Sequence, residues 1–206
     1  MPRTRSVIVG LMLACATTLA CAQAVTPEIQ RAAEAKTANL CSTCHGPRGI
    51  STSPEFPILA AQRKGYLEAQ IDAFRKHTRS EKDAHDFMWG IAGNLDEAIA
   101  GAIAGYYAVQ PPATGRTYDP ALVAQGKELY DKGVGDRGIP ACASCHGMNA
   151  EGVADFPRLA GQHAKYVAKQ LNYIQSLVRA APVMHGIVKD LTSGEIAALA
   201  AYVQSR

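Results

Sequence analysis

One pattern is written twice in this chain. Cys41-Ser-Thr-Cys44-His45-Gly46 recurs as Cys142-Ala-Ser-Cys145-His146-Gly147, 101 residues later. Phe56-Pro57-x-Leu59-Ala60-x-Gln62-x-x-x-Tyr66-x-x-x-Gln70 recurs as Phe156-Pro157-x-Leu159-Ala160-x-Gln162-x-x-x-Tyr166-x-x-x-Gln170, offset by 100. Met88-x-Gly90-Ile91-x-x-x-Leu95 recurs as Met184-x-Gly186-Ile187-x-x-x-Leu191, offset by 96, and Tyr106 matches Tyr202 at the same offset. The drift places the gaps between blocks, while the order of the blocks is kept. Such a chain folds as two copies of one unit. Between the copies, Pro111-Pro112-Ala-Thr-Gly115-Arg-Thr reads as a linker. The expected division is a leader at 1–24, a first unit at 25–110, a linker at 111–118 and a second unit at 119–206.

Within each unit the apolar period is helical. Tyr66, Gln70, Ile71 and Phe74 fall on one face, as do Ala98, Ile99, Ala102, Ile103 and Tyr106. Thr26-Pro27-Glu28 combines an N-cap, a first-turn proline and an early acid, and Asp119-Pro120 opens the second unit in the same way. Thr192-x-x-Glu195 is a capping box. No alternating β-branched run reads as a strand, so each unit is expected to have about three helices and long loops. Gly101, Ala102 and Gly105 line one side of a helix and would admit a close helix neighbour or form a loosely packed, Ala-rich surface. Aromatic residues make up only 6 % of the chain. Two small cores that thin call for a disulfide, a metal or a cofactor.

The leader decides which cysteines matter. Arg3 and Arg5 precede an uncharged, mostly apolar run from Val7 to Ala22, and Ala22-Gln23-Ala24 has the small-x-small form of a cleavage site. This reads as an export signal to the periplasm, with the mature chain beginning at Val25. Lipid attachment at Cys21 is the weaker reading, because Thr18 stands where a leucine is usual. Sixteen residues are also short for an uncleaved anchor. Cleavage removes Cys15 and Cys21 and leaves Cys41, Cys44, Cys142 and Cys145. The net charge of +3 includes Arg3 and Arg5, which excludes a polybasic nucleic-acid grip. At most a peripheral membrane association is expected.

Cys-x-x-Cys-His is the attachment signature of c-type haem. Two thiols add across the two vinyl groups, and the next residue is placed to bind the iron. A redox dithiol would need a βαβ setting, and a zinc ribbon would pair two Cys-x-x-Cys units across fifteen to twenty residues. Here the copies lie about a hundred residues apart and each carries its own histidine. Two covalent haems are therefore predicted, on Cys41, Cys44 and His45 and on Cys142, Cys145 and His146. The repeat points to Met88 and Met184 as the sixth ligands. Met148, three residues from Cys145, sits on the attachment side and reads as loop packing. His163 reads as an exposed loop residue, and His185 as pointing away from the iron. His77 and His85 precede Met88 and stay open as competitors for the first iron.

With these motifs in hand, the chain resembles the dihaem class I cytochromes c of the cytochrome c4 type. The second half carries the family's pattern in Pro157-Arg-Leu159-Ala160-Gly161-Gln162-His163, Tyr166, Gln170, Met184 and Ala201-Tyr202. The first half has Ala61 where glycine is usual and an unusual stretch from His77 to His85. The resemblance implies an all-α fold, a tandem duplication of two class I cytochrome c domains, each wrapped around one haem. It implies haems close enough for intramolecular electron transfer. It also implies that the Pro57 and Pro157 carbonyls accept a hydrogen bond from the proximal imidazoles, which tunes the metal.

A His/Met-ligated iron has no vacant position for substrate, and a thioether favours Fe(II). The expectation is a monomeric periplasmic electron carrier, not an enzyme. The family implies a quinol-oxidising complex as donor and a terminal oxidase or reductase as acceptor. The alternatives are a dihaem enzyme (a peroxidase or a sulfur-compound dehydrogenase) and a haem subunit of a membrane oxidoreductase.

Overall fold

Short polar residues start several helices of the computed structural model, which describes residues 25–206; the leader expected at 1–24 lies outside the described residues. Helix α1 (Pro27–Lys36) is capped by Thr26, whose side chain accepts from the Ile29 amide at 3.3 Å. It runs on through a wide π-helical turn (Thr37–Cys41) into the single turn of α2 (Ser42–His45). Then come α3 (Lys64–Arg75), a second π-helical turn (Ala84–Met88), α4 (Trp89–Gly93) and α5 (Glu97–Ala108). The second half repeats the plan with α6 (Pro120–Lys132), α7 (Ala143–His146), α8 (Ala164–Gln175), α9 (Pro182–Val188) and α10 (Ser193–Ser205). Asp119 caps α6 by accepting from the Ala121 and Leu122 amides at 3.0 and 3.1 Å. The capping box before α10 is formed in both directions, Glu195 N–H to Thr192 Oγ1 at 3.2 Å and Thr192 N–H to Glu195 Oε2 at 2.8 Å. The all-α class thus follows from the sequence pattern. Among the described residues the only β pairing is two isolated bridges, Arg79 with Arg179 and Val134 with Ile139.

In each half the first and last long helices cross, and the middle helix closes the core. Tyr130, Ile196, Tyr202 and Val203 are almost wholly buried between α6 and α10, while Ala33, Ile103, Ala104 and Tyr107 fill the smaller α1–α5 contact. Burial of each large apolar side chain is worth roughly 1.5–3 kcal/mol, so the Ala-rich first core gains less per residue. The helix neighbour expected at Gly101 and Gly105 is α3, and it meets them through its side chains. A Cβ at Gly101 would lie 3.1 Å from Glu68 Oε1, and one at Gly105 3.9 Å from Lys64 Cε. Those glycines admit α3 side chains. The tight crossing is at Gly126, where a Cβ would lie 2.0 Å from the Ala198 carbonyl oxygen of α10.

Residues 111–118 have no regular structure but are tied down: Arg116 N–H donates to Gln204 O at 2.9 Å. Ala61 and Gly161 both adopt left-handed backbone (φ 56° and 77°) and donate their amides to Tyr107 O at 2.9 Å and Val203 O at 2.8 Å. The Ala61 departure noted in the sequence therefore costs about 1–2 kcal/mol of Cβ strain that glycine avoids. Among the described residues no helix is long and apolar enough to cross a membrane.

Candidate haem sites

The π-helical turn and α2 deliver Cys41, Cys44 and His45 to one side of a cavity, and α7 delivers Cys142, Cys145 and His146. Each turn stops at its glycine. Gly46 has φ 75° and Gly147 φ 84°, and a Cβ on Gly46 would sit 2.1 Å from Ile50 O. All four thiols are free, and they line one continuous apolar cavity of 650 Å³ shared by both halves. Burial raises the Cys41 thiol pKa and pushes that of Cys142 up to about 11.

The two imidazoles are held alike. His45 Nδ1–H donates to Pro57 O at 2.9 Å and His146 Nδ1–H to Pro157 O at 3.0 Å. A carbonyl can only accept, so Nδ1 carries the proton and Nε2 keeps its lone pair. Both rings are buried, which lowers their pKa and keeps them neutral; the proline carbonyls oppose this more weakly. Nε2 of His146 is buried and has no hydrogen-bond partner. A polar atom buried without a partner normally costs about 1–3 kcal/mol, and a metal ion satisfies it. Phe56 and Phe156 meet these rings edge-on, each at 6.3 Å between centroids.

Met88, at the end of its π-helical turn, and Met184, in α9, line the same cavity. His77 and His85 do not. His77 stacks on Trp89 at 3.9 Å and 12°, and His85 is exposed, with Nδ1 2.9 Å from Asp86 Oδ1. His185 donates from Nδ1 to Ile174 O at 3.0 Å. Two sequence readings change here. Met148 packs no loop and is 69 % exposed. His163 is half-buried, and its Nε2 binds Ser51 O of the other half at 3.1 Å.

Where the halves meet, the cavity turns polar. Arg79 and Glu81 form a buried ion pair whose side chains are 8 % and 0 % exposed. Arg79 also donates to Gln70 Oε1 at 3.0 Å and to Gln170 Oε1 at 3.2 Å. Arg179 donates to Gln170 Oε1 at 2.6 Å, Gln70 Oε1 at 2.9 Å and the Tyr66 hydroxyl at 3.1 Å. Sequence reasoning gave these residues no role at the site, although Gln70/Gln170 lie inside the repeated block and Arg79/Arg179 keep its offset of 100.

The Cytochrome c family model matches residues 123–206. Cytochrome c4 of Thiocapsa roseopersicina is 36 % identical over 190 residues, covering 88 % of this chain and 96 % of its own. The chain belongs to the cytochrome c4 family. The solved structure of Acidithiobacillus ferrooxidans cytochrome c4 agrees with a TM-score of 0.77 at 38 % identity, covering 81 % of this chain and 98 % of that one. A Thiomonas intermedia (strain K12) protein named thiosulfate dehydrogenase electron acceptor is 32 % identical over 173 residues, 81 % of this chain and 78 % of its own. The chain is therefore a duplicated class I cytochrome c that carries two covalently attached haem c groups and transports electrons. The residues present fit that cofactor: two thiol pairs, two neutral imidazoles (that of His146 with a buried, unpartnered Nε2), two thioethers and a cationic polar end share one apolar cavity.

Proposed function

We propose that this protein passes electrons one at a time between periplasmic redox partners through two His/Met-ligated haems. The first would be attached at Cys41 and Cys44 and held by His45 and Met88. The second would be attached at Cys142 and Cys145 and held by His146 and Met184. Units 25–110 and 119–206 would each carry one haem, joined by 111–118. The observation that carries the reading is the buried, unpartnered Nε2 of His146, opposite a proline-anchored Nδ1 and in one cavity with Met184.

When bound, the haem supplies a one-electron Fe(II)/Fe(III) couple. The chain's own residues do the rest. Pro57 and Pro157 fix the imidazole tautomer and orientation. Met88 and Met184 would hold the iron through thioethers, which favour Fe(II). Arg79 and Arg179 would give carboxylates at the polar end a cationic partner, and the apolar walls would exclude water from the site.

A quinol-oxidising complex as donor and a terminal oxidase or reductase as acceptor suit such a couple. The relative named a thiosulfate dehydrogenase electron acceptor adds a sulfur-oxidising enzyme as a second class of donor. Redox titration of the purified protein tests the reading. Two one-electron steps at high potential, with a low-spin ferric spectrum, are expected. A high-spin haem would instead favour a dihaem enzyme, and purification only within a membrane complex would favour a fixed haem subunit.

A further inference from the structure

The two halves exchange a pair of glutamines. Ile58 N–H donates to Gln162 Oε1 at 2.9 Å, and Gln162 Nε2–H donates back to Ile58 O at 2.9 Å. In the mirror contact Arg158 N–H donates to Gln62 Oε1 at 2.7 Å, and Gln62 Nε2–H donates to Arg158 O at 2.9 Å. Both glutamines are buried. Their position on the chain matters more than their number. The Ile58 N–H and the Pro57 C=O belong to one planar peptide group, and its oxygen accepts from His45 Nδ1–H at 2.9 Å. The Arg158 N–H and Pro157 C=O form the matching group, which accepts from His146 Nδ1–H at 3.0 Å. Each proximal imidazole is thus joined through a single peptide unit to a glutamine of the opposite half.

We propose that Gln162 and Gln62 are positioning residues that strengthen the hydrogen bond on the proximal histidine of the opposite half, so that docking of the halves tunes each haem. This rests on His45 and His146 being the axial ligands. The peptide C–N bond has partial double-bond character, so a hydrogen bond accepted from its N–H shifts electron density onto its oxygen. Chained hydrogen bonds of this kind strengthen one another by about 10–30 % per bond. A stronger acceptor on Nδ1–H makes the imidazole a better donor and favours Fe(III). Removing the glutamine oxygen weakens that acceptor and raises the potential of the haem in the other half. An interface that only holds the halves together would give no such crossed effect.

The test uses the full-length protein with both haems attached. In the ferrous, diamagnetic state, ring-current-shifted proton signals of His45 and His146 report ligation, and their Nδ1–H signals report the strength of the bond to proline. Gln162→Leu is expected to move the His45 Nδ1–H upfield and raise that haem's potential, with His146 unmoved. Gln62→Leu is expected to do the reverse. Gln162→Asn, one methylene too short to reach the Ile58 amide, is expected to move the His45 signal upfield as well. If Gln162→Leu does not accumulate, the other two variants carry the test. Equal movement of both histidines, movement in the variant's own half, or no movement would overturn the proposal. Absence of ring-current shifts on either histidine in the unaltered protein would instead refute its axial ligation, and with it the reading of the site.

Discussion

Replacing Arg79 by leucine is expected to be among the most damaging single changes at the interface between the halves. Glu81 is 1 % exposed, and its Oε1 takes both hydrogen bonds from Arg79. Its other oxygen has no partner, and Arg179 is bound to Gln70, Gln170 and Tyr66 rather than to Glu81. In Arg79→Leu the buried carboxylate loses its only hydrogen-bonding partner and keeps Arg179 only as a through-space charge. Removing one partner of a buried pair costs about 3–5 kcal/mol, out of about 5–15 kcal/mol for a typical native protein. Guanidinium unfolding of the haem-loaded protein, followed by circular dichroism, should show a loss of about 3–5 kcal/mol relative to the parent. Arg31→Leu, which breaks an exposed pair with Glu28 at 3.2 Å, should leave the midpoint unchanged. A loss at Arg79 below about 1 kcal/mol would refute the argument.

Two further outcomes follow from the packing. Gly126→Val should destabilise the second half by about 1–3 kcal/mol, because its Cβ would meet the Ala198 carbonyl at 2.0 Å; an unchanged unfolding midpoint would mean that α6 and α10 can separate freely. His163 has its pKa lowered by burial, so the folded protein loses stability as pH falls below the free-histidine range near about 6.5. His163→Gln should flatten that acid limb of the stability–pH curve, and an identical slope in the variant would count against it.

The repeat made much of this molecule legible. A residue found at the same place in both copies has a job in both, which is how Met88 could be set beside Met184 with no structure in hand. The caps at Thr26, Asp119 and Thr192 were equally readable, because they depend on neighbours within four residues. What stayed hidden depends on how one half meets the other. Gln62 and Gln162 stood out as repeated, yet nothing in the chain order says that each reaches across to the opposite proline loop. Arg79 and Arg179 repeat as well, but Glu81 faces Ala181 in the second copy, so the ion pair has no internal counterpart. Gly126 and Gly101 look alike in sequence. Only the crossing of α6 with α10 separates a glycine under a helix backbone from one beneath a side chain.

The most direct test of His/Met ligation is the near-infrared sulfur-to-iron charge-transfer band of the fully oxidised protein. Met88→His leaves the thioether attachments untouched, so both haems should stay bound while the band falls to about half and one of the two potentials drops. Met184→His should remove the other half of the band. A full-strength band in Met88→His, with loss of intensity in His85→Ala, would make the first haem bis-histidine and contradict the account.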